Sequence, residues 1–182
     1  MTAPTRITSL DELLAVPLPS VEVRLGPAAG VDPLRCAELT LELKRWLWLC
    51  GRNRCDVAAG RPVPSSLPIL WCQQLLDEAW HTFILDTSAY QAFCDEHLGG
   101  FVHHEPGMHD GEGCVHGREV PTSSNLGRDD VGELLTYVAQ LFGPATLWNW
   151  YVRDGLAANA IDPGDLPRDA PSLIAGLPEL LV

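Results

Sequence analysis

Residues 75–106, LLDEAWHTFILDTSAYQAFCDEHLGGFVHHEP, contain two apolar stripes at helical spacing and then a double glycine. The first stripe belongs to a long helix that is predicted to begin near Ser66, because apolar residues recur three and four positions apart through Ile84. The next helix is predicted to begin at Thr87 and to end at Gly99, since glycine commonly terminates a helix. The stretch therefore predicts two consecutive helices followed by an extended segment.

The chain before this stretch is also mostly helical in pattern. Ser9 is typical of a helix N-cap and predicts a short helix to about Ala15. Residues 16–31 contain three prolines and the alternating sequence VEVRL, which predicts a connector with room for one short strand. A long helix is predicted over 32–51, where an Asp-Pro pair supplies the cap and the first-turn proline, and a polar loop is predicted over 51–66.

The chain after this stretch begins with a segment that has no periodicity. Residues 100–127 are rich in glycine, histidine and charge, which predicts one long loop. A helix with an acidic first turn is predicted from Asp129 to Gly143, and Pro144 opens a further short helix. The remaining tail is rich in Asp, Pro and Gly, and a small helix is predicted at 171–182.

The fold class predicted for residues 1–182 is mainly α, a single-domain bundle-like fold with one long Gly/His-rich loop. An N-terminal helix and connector occupy 1–31, a helical core that includes the 100–127 loop occupies 32–155, and a tail occupies 156–182. A chain of 182 residues has the ordinary size of one domain, and its 46% apolar content is enough for a core.

The charge balance is strongly acidic, with 24 Asp and Glu against 12 Lys and Arg and a net charge of −12. Proteins that bind nucleic acid or anionic membranes through phosphates need a basic surface, so neither partner is predicted. No apolar run approaches the roughly 18 residues of a membrane span, and the N-terminus lacks an apolar signal-peptide core. The chain is therefore predicted to be soluble and cytoplasmic, and its Arg, Ala, Gly and Pro usage indicates a bacterial source.

The six cysteines are predicted to be reduced, because disulfides are rare in the cytoplasm. Cys36, Cys50 and Cys72 lie in apolar helical surroundings and are predicted to be core residues. Cys50 and Cys55 form a C-x4-C pair with no second pair behind it, which is a weak indication of a zinc or redox site.

The histidines carry the strongest chemical signal in the sequence. All six fall within about a fifth of the chain: His81, His97, His103, His104, His109 and His116. Two cysteines, Cys94 and Cys114, lie in the same window. Neutral imidazole and thiolate are the usual ligands of zinc, and imidazole also binds iron and copper. The clustering therefore predicts a divalent metal ion, zinc or iron, as cofactor.

His81 is the centre of the predicted site. Asp77 and Glu78 lie four and three residues before it, so both carboxylates share a helix face with the imidazole. Asp77 is predicted to orient the ring, as carboxylates do for metal-bound histidines, and both acids are candidate catalytic residues. A core histidine hydrogen-bonded to a helix carboxylate is the alternative interpretation of His81 considered alone.

The other candidate ligands lie on the next helix and just beyond it. Neighbouring side chains of an extended segment point in opposite directions, so only one of His103 and His104 is expected to face His81. Cys94 and His97 share a face of the helix and complete the candidate metal ligands, although Cys94 is alternatively a packing residue. Three protein ligands indicate a catalytic zinc site, four a structural one, and two histidines with a carboxylate indicate non-haem iron.

Two further arrangements stay open. The 100–127 loop contains candidates for a second cluster, for a lid that supplies one ligand, or for a glycine-rich loop without a site: His109, Cys114 and His116. Glu78 and His81 also form half of a di-iron motif, which needs a second such pair and glutamates from other helices. Glu38 and Glu42 on the first long helix are available for that role.

A longer motif resembles a known family. D-E-x-W-H-x-F-I-L-x-T-x-x-Y-x-x-F-C from Asp77 to Cys94, followed by G-x-F-V-H-H-x-P from Gly99 to Pro106, is similar to the bacterial branch of the glycine-rich-domain-containing-protein-like family. The resemblance covers roughly residues 33–155. It implies the helical core and no particular activity, because none is settled for the family. The later MHDGEGCVHGREVPTSSN segment departs from the family, so nothing about its possible ligands carries over.

Together these patterns predict a small metal-dependent enzyme with a mononuclear zinc or non-haem iron site centred on His81. Zinc would activate a bound water for hydrolytic or lyase chemistry, and iron would bring oxygen chemistry to a small molecule, peptide or amine. The alternative is a protein-interaction module, stapled by a metal or free of one, in which the same residues are structural. The sequence indicates no oligomeric state.

Overall fold

The structure is a computed structural model that describes residues 7–104, 127–153 and 175–176. Its described part contains helices and connecting segments and no strand, so the mainly α fold class is confirmed. The helices are α1 Leu10–Ala15, α2 Pro19–Ala29, α3 Pro33–Ala58, α4 Gln74–Ile84, α5 Thr87–His97, α6 Arg128–Phe142 and α7 Pro144–Leu147. A 3₁₀ turn at Trp71–Gln73 precedes α4, and a π-helical turn at Trp148–Arg153 follows α7.

The helices group into two compact units. The first unit contains α1 to α5, and the second contains the 3₁₀ turn, α6, α7 and the π-helical turn. The organisation of residues 1–182 as a single domain stays a prediction.

The long helix α3 is the centre of the first unit. Helices α1, α2 and α4 all pack against it. Its apolar stripe of Leu39, Leu43 and Leu47 is fully buried, as the helical spacing predicts, and Trp46 is buried beside the stripe. The helix begins at Pro33, and the carboxylate of its N-cap Asp32 accepts hydrogen bonds from the two backbone N–H groups that follow Pro33. The cap therefore defines where this helix starts, and the apolar stripe defines the face that it buries.

Helix α3 continues beyond Gly51 to Ala58, so the predicted loop over 51–66 was wrong in its first half. A polar sequence continues as helix here because its polar groups are paired inside the fold. Asp56 is buried, and its carboxylate lies 3.0 Å from Arg52 Nε and 2.6 Å from Arg61 Nη1. Gly51 is needed for close packing, since a Cβ atom there would lie 3.3 Å from the Leu98 carbonyl oxygen.

Helix α2 replaces the predicted connector and strand over 16–31, which were wrong. The alternating VEVRL pattern also carries a helical period, because Val21 and Leu25 are four residues apart and both are fully buried. Pro19 occupies the first turn, where its missing N–H removes no helical hydrogen bond, and Gly30 ends the helix with a φ of 67°. Gly26 and Pro27 lie inside the helix. Together with Pro19 and Gly30 at its ends, they give the segment the composition of a loop.

Helices α4 and α5 carry the motif of the predicted site. Helix α4 begins at Gln74 rather than near Ser66, because the chain before it is irregular up to the 3₁₀ turn. Helix α5 begins at Thr87 as predicted, with the Asp86 carboxylate accepting the Ala89 N–H, and ends before the glycine pair.

The second unit follows the predicted pattern. Helix α6 ends at Phe142, α7 begins at Pro144, and the two helices contact each other. Their buried core residues include Val131, Leu134, Leu135, Tyr137, Val138 and Leu147. The predicted 100–127 loop beyond residue 104 and the helix predicted at 171–182, apart from residues 175–176, lie outside the described residues. No helix in the described part of the chain has both the length and the apolarity to cross a membrane.

Replacing Leu25 with alanine tests whether 16–31 is a packed helix. Because Leu25 is fully buried, we expect Leu25→Ala to lower the free energy of unfolding by about 2–5 kcal/mol. Val23 is 74% exposed on the same helix, so Val23→Ala should change it by less than about 0.5 kcal/mol. Urea denaturation of both variants measures the difference, and equal effects would contradict the helix.

Cys72, a predicted core residue, is buried, and burial raises the pKa of its thiol from 9.0 to about 12. Below pH 9 the thiol is neutral in the folded and unfolded chains alike. Above pH 9 only the unfolded chain releases the proton, so folding stability falls as the pH rises.

Between pH 8 and pH 10, the free energy of unfolding of the wild type should therefore fall by about 1.4 kcal/mol more than that of Cys72→Ala. Urea denaturation of both proteins in a reducing buffer measures this difference. The same pH dependence in the two proteins would show that the buried thiol is not protected from ionisation.

Candidate metal centre

Helix α4 places Asp77 and His81 at the edge of its buried face. Leu76, Trp80 and Phe83 are buried and hold the helix against the core. One turn separates Asp77 from His81, and their side chains are 33% and 46% exposed. Both groups are therefore fixed by a rigid helix and are still accessible from solvent.

The distance between the two side chains is informative. Asp77 Oδ2 lies 3.5 Å from His81 Nδ1. This is longer than the usual N–H···O hydrogen bond of about 2.7–3.2 Å. Two ligands bound at about 2.1 Å to one tetrahedral ion lie about 3.4 Å apart, by simple geometry. The pair is thus spaced like two ligands of one metal ion as well as like an ion pair.

His104 adds a third potential ligand. One ligand atom from each of Asp77, His81 and His104 lies within 4.8 Å of the other two. His104 is half-buried. The group contains two imidazoles and one carboxylate, and small side-chain rotations would bring separations of this size to bonding distance.

His103, the other member of the histidine pair, lies elsewhere. Its side chain is exposed, and its ring meets the Phe101 ring edge-on with centroids 4.8 Å apart. It is not part of the three-residue group. One histidine of the pair joins His81 and the other does not, in agreement with the alternation expected for an extended segment.

The remaining candidates lie outside the group. Cys94 is fully buried, within hydrogen-bonding range of the Tyr90 side chain and the Val102 backbone. Burial raises the pKa of its thiol, which opposes the thiolate form that metals bind. His97 Nδ1 lies 3.3 Å from Thr8 Oγ1. Glu78 is half-buried, next to Asp77 in the sequence. Catalytic or ligand roles for Cys94, His97 and Glu78 stay predictions.

The carboxylates considered for a di-iron site have another partner. Arg35 Nη1 lies 2.8 Å from Glu38 Oε2, and Arg35 Nη2 lies 3.5 Å from Glu42 Oε2. Both glutamates therefore help to neutralise a largely buried arginine on their own helix. The second candidate cluster of His109, Cys114 and His116 lies outside the described residues.

Arg54 holds the chain segment that leads to the two histidines. After α5 ends, the backbone carbonyls lose their helical donors, and the Arg54 guanidinium supplies new ones. It donates to the carbonyl oxygens of Leu98 at 2.7 Å, Gly100 at 3.1 Å and Phe101 at 3.0 Å. Five donors on a planar group suit arginine to bind several carbonyls at once.

Tyr90 ties the same segment to α4. Its hydroxyl donates to the Val102 carbonyl oxygen at 2.6 Å and accepts from Trp80 Nε1 at 3.0 Å. The hydroxyl thus joins the residue before His103 to the residue before His81. Burial raises the pKa of Tyr90, so the hydroxyl keeps its proton and remains a donor.

Sequence reasoning missed these two anchoring residues. Tyr90 belongs to the recognised motif, but its spacing indicates only a buried aromatic residue. Arg54 was assigned to a polar loop, and no local pattern connects it to carbonyls more than forty residues away. Its interaction is visible only once α3 is seen to continue past Gly51.

Comparison with known proteins adds a partial family match. Residues 36–112 match the model of the UCP032817-like family, so this part of the chain is similar to that family. The match includes most of α3, all of α4 and α5, and all three members of the candidate group. No curated protein and no solved structure matches the chain. The family description names no ligand or reaction, so the function is argued from the site.

Replacing Tyr90 with phenylalanine tests its anchoring role. Tyr90→Phe removes the donor to the buried Val102 carbonyl and a partner of Trp80, so we expect a loss of about 1–3 kcal/mol in the free energy of unfolding.

Tyr151→Phe is the matched control, because the fully buried Tyr151 hydroxyl has no hydrogen-bond partner within the described residues. Its loss should change the free energy of unfolding by less than about 0.5 kcal/mol or increase it. Urea denaturation compares the two variants. A Tyr90→Phe protein as stable as the wild type would show that the hydroxyl does not anchor the segment.

Proposed function

We propose that the protein is a small metal-dependent enzyme whose single divalent ion is held by Asp77, His81 and His104. The proximity of one ligand atom from each residue, within 4.8 Å, is the observation that supports the proposal. Two imidazoles and one carboxylate are the ligand set of non-haem iron(II) enzymes. The same number of protein ligands also occurs in catalytic zinc sites, so zinc is the second candidate.

Access to solvent supports catalysis rather than a structural role for the metal. Structural zinc sites are closed by four protein ligands, whereas catalytic sites keep a position open. The side chains of Asp77 and His81 are 33% and 46% exposed. A small molecule can therefore reach the ion beside the protein ligands.

The chain's own residues have distinct roles in this proposal. Asp77 contributes a carboxylate oxygen and offsets the positive charge of the ion, and His81 and His104 contribute one ring nitrogen each. The bound ion supplies Lewis acidity toward a substrate or water oxygen. Glu78 follows Asp77 on the same helix and is half-buried, and we assign it the role of general base that accepts the released proton.

The substrate class follows from charge. A chain with a net charge of −12 attracts cations and repels anions, so a cationic peptide or an amine is a better substrate than a nucleotide. We also place the enzyme in the bacterial cytoplasm. The five free cysteines in the described part of the chain fit a reducing compartment.

Metal titration of protein purified without a histidine tag tests the proposal. Fe²⁺ under anaerobic conditions, with Co²⁺ as a coloured substitute, should bind at one ion per chain. Loss of a residue that only hydrogen-bonds to a metal ligand already lowers metal affinity about 10- to 100-fold. We therefore expect loss of a ligand itself, in His81→Ala or His104→Ala, to weaken binding by at least about 100-fold.

His103→Ala is the matched control, because the exposed neighbour of His104 is not part of the group. It should retain wild-type affinity within about threefold, a difference of roughly 0.6 kcal/mol. Circular dichroism checks that each variant folds. Equal loss of affinity in His103→Ala and His104→Ala, or no stoichiometric metal in the wild type, would contradict the proposed site.

Glu78→Gln distinguishes the proposed enzyme from the alternative, a protein-interaction module. Glu78 lies outside the ligand group, so the variant should bind the metal normally and lose turnover of amine or peptide substrates by about 100-fold or more, as expected for a general base. A metal-loaded wild type that turns over no amine or peptide would favour the structural module instead.

A further inference from the structure

A groove of about 280 Å³ lies on the first unit, between α5 and the connection from α1 to α2. It shares no residue with the proposed metal site. Three buried apolar side chains contribute to it: Leu18, Phe83 and Phe93. Pro17 and Pro19 line the side opposite α5 and restrict the backbone there. The groove is therefore part of the packed fold rather than a gap between loose segments.

Small side chains on α5 keep the groove open. Ala89 and Ala92 line it, three residues apart on one face of the helix. A longer side chain at either position would fill the space. The pattern of small residues over an apolar floor leaves room for a narrow, elongated ligand.

Acidic residues line the two ends of α5. Asp86 and Glu96 both contribute to the groove, and no Lys or Arg does so among the described residues. His97 also lines the groove beside Glu96, and its Nδ1 lies 3.3 Å from Thr8 Oγ1. Ten residues separate them, which corresponds to a rise of about 15 Å along a helix. Asp86 Oδ1 accepts the Ala89 N–H at 3.4 Å, which fixes that carboxylate at the start of the helix. The groove therefore has two separated negative charges and an apolar centre.

We propose that this groove binds a linear aliphatic diamine, with one ammonium group near Asp86, the other near Glu96, and the methylene chain on the apolar floor. A volume of about 280 Å³ corresponds to about nine water molecules, which is the size of a chain of about ten non-hydrogen atoms. Burial of the methylenes supplies affinity, and the two carboxylates select a ligand charged at both ends. The inference goes beyond the proposed function and does not depend on a metal ion.

Titration with 1,8-diaminooctane, followed through the backbone amide signals of ¹⁵N-labelled protein, tests the inference. The signals of Ala89 and Ala92 should shift in a saturable way. 1-Aminooctane has a similar apolar chain but only one charge, so it should bind about two- to fivefold more weakly, the usual contribution of one exposed ion pair. The difference should shrink at high salt, because exposed charges are screened.

Variants of α5 locate the binding site. Ala92→Leu fills the groove and should weaken diamine binding at least about tenfold, which corresponds to about 1.4 kcal/mol. Ser88→Leu makes the same kind of change at an exposed position of α5 that does not line the groove, and it should leave the affinity unchanged. Asp86→Asn keeps a good helix cap and removes one charge, so it should weaken diamine binding about two- to fivefold.

Three results would overturn the inference. They are equal affinity for the diamine and the monoamine, wild-type affinity in Ala92→Leu, and absence of saturable shifts at α5. His81→Ala should bind the diamine like the wild type, so failure of the metal site and failure of the groove are distinguishable.

Discussion

Hydrogen bonds to the backbone carbonyls that follow α5 control the geometry of the candidate site. The chain leaves the helix at Leu98, and the oxygens that no longer have helical donors receive them from Arg54 and Tyr90. The Val102 carbonyl is buried, and an unpaired buried carbonyl is costly, so the hydrogen bond from Tyr90 stabilises the path of the segment at this point. His103 and His104 follow directly, and their placement is a consequence of these hydrogen bonds.

Burial divides the titratable side chains of the first unit into two kinds. Cys94 is fully buried and Cys50 is half-buried, and burial raises the pKa of both thiols and keeps them neutral. Asp77 and His81 lie at the edge of α4, half-exposed and rigidly held. The half-exposed Asp77 and His81 suit chemistry with a metal ion and a ligand from solvent. The buried thiols suit packing. The separate acidic groove along α5 shows the same division, because its charged residues lie at the rim and its apolar residues lie below them.

The sequence predicted elements best where several independent signals agreed. Helix α5 has a capping residue, an apolar stripe and a terminal glycine pair, and both of its ends agree with prediction to within two residues. Helix α2 contains two prolines and a glycine and has only two buried positions, so composition outweighed periodicity and the prediction was wrong. Helix α3 continued through GRNRC, where Gly51 packs against Leu98 and Arg54 donates to the Leu98 carbonyl oxygen. These partners lie more than forty residues away in the chain, so a local pattern cannot indicate them.

For this protein, the sequence alone determined the helical class, the buried stripes and the candidate residues around His81, because periodicity and residue chemistry are local properties. Tertiary structure decided that His104 rather than His103 joins Asp77 and His81, and that Cys94 is packed away from them. It also created the groove along α5. These outcomes depend on hydrogen bonds and contacts between residues far apart in the chain, whose energies are set only when the helices pack.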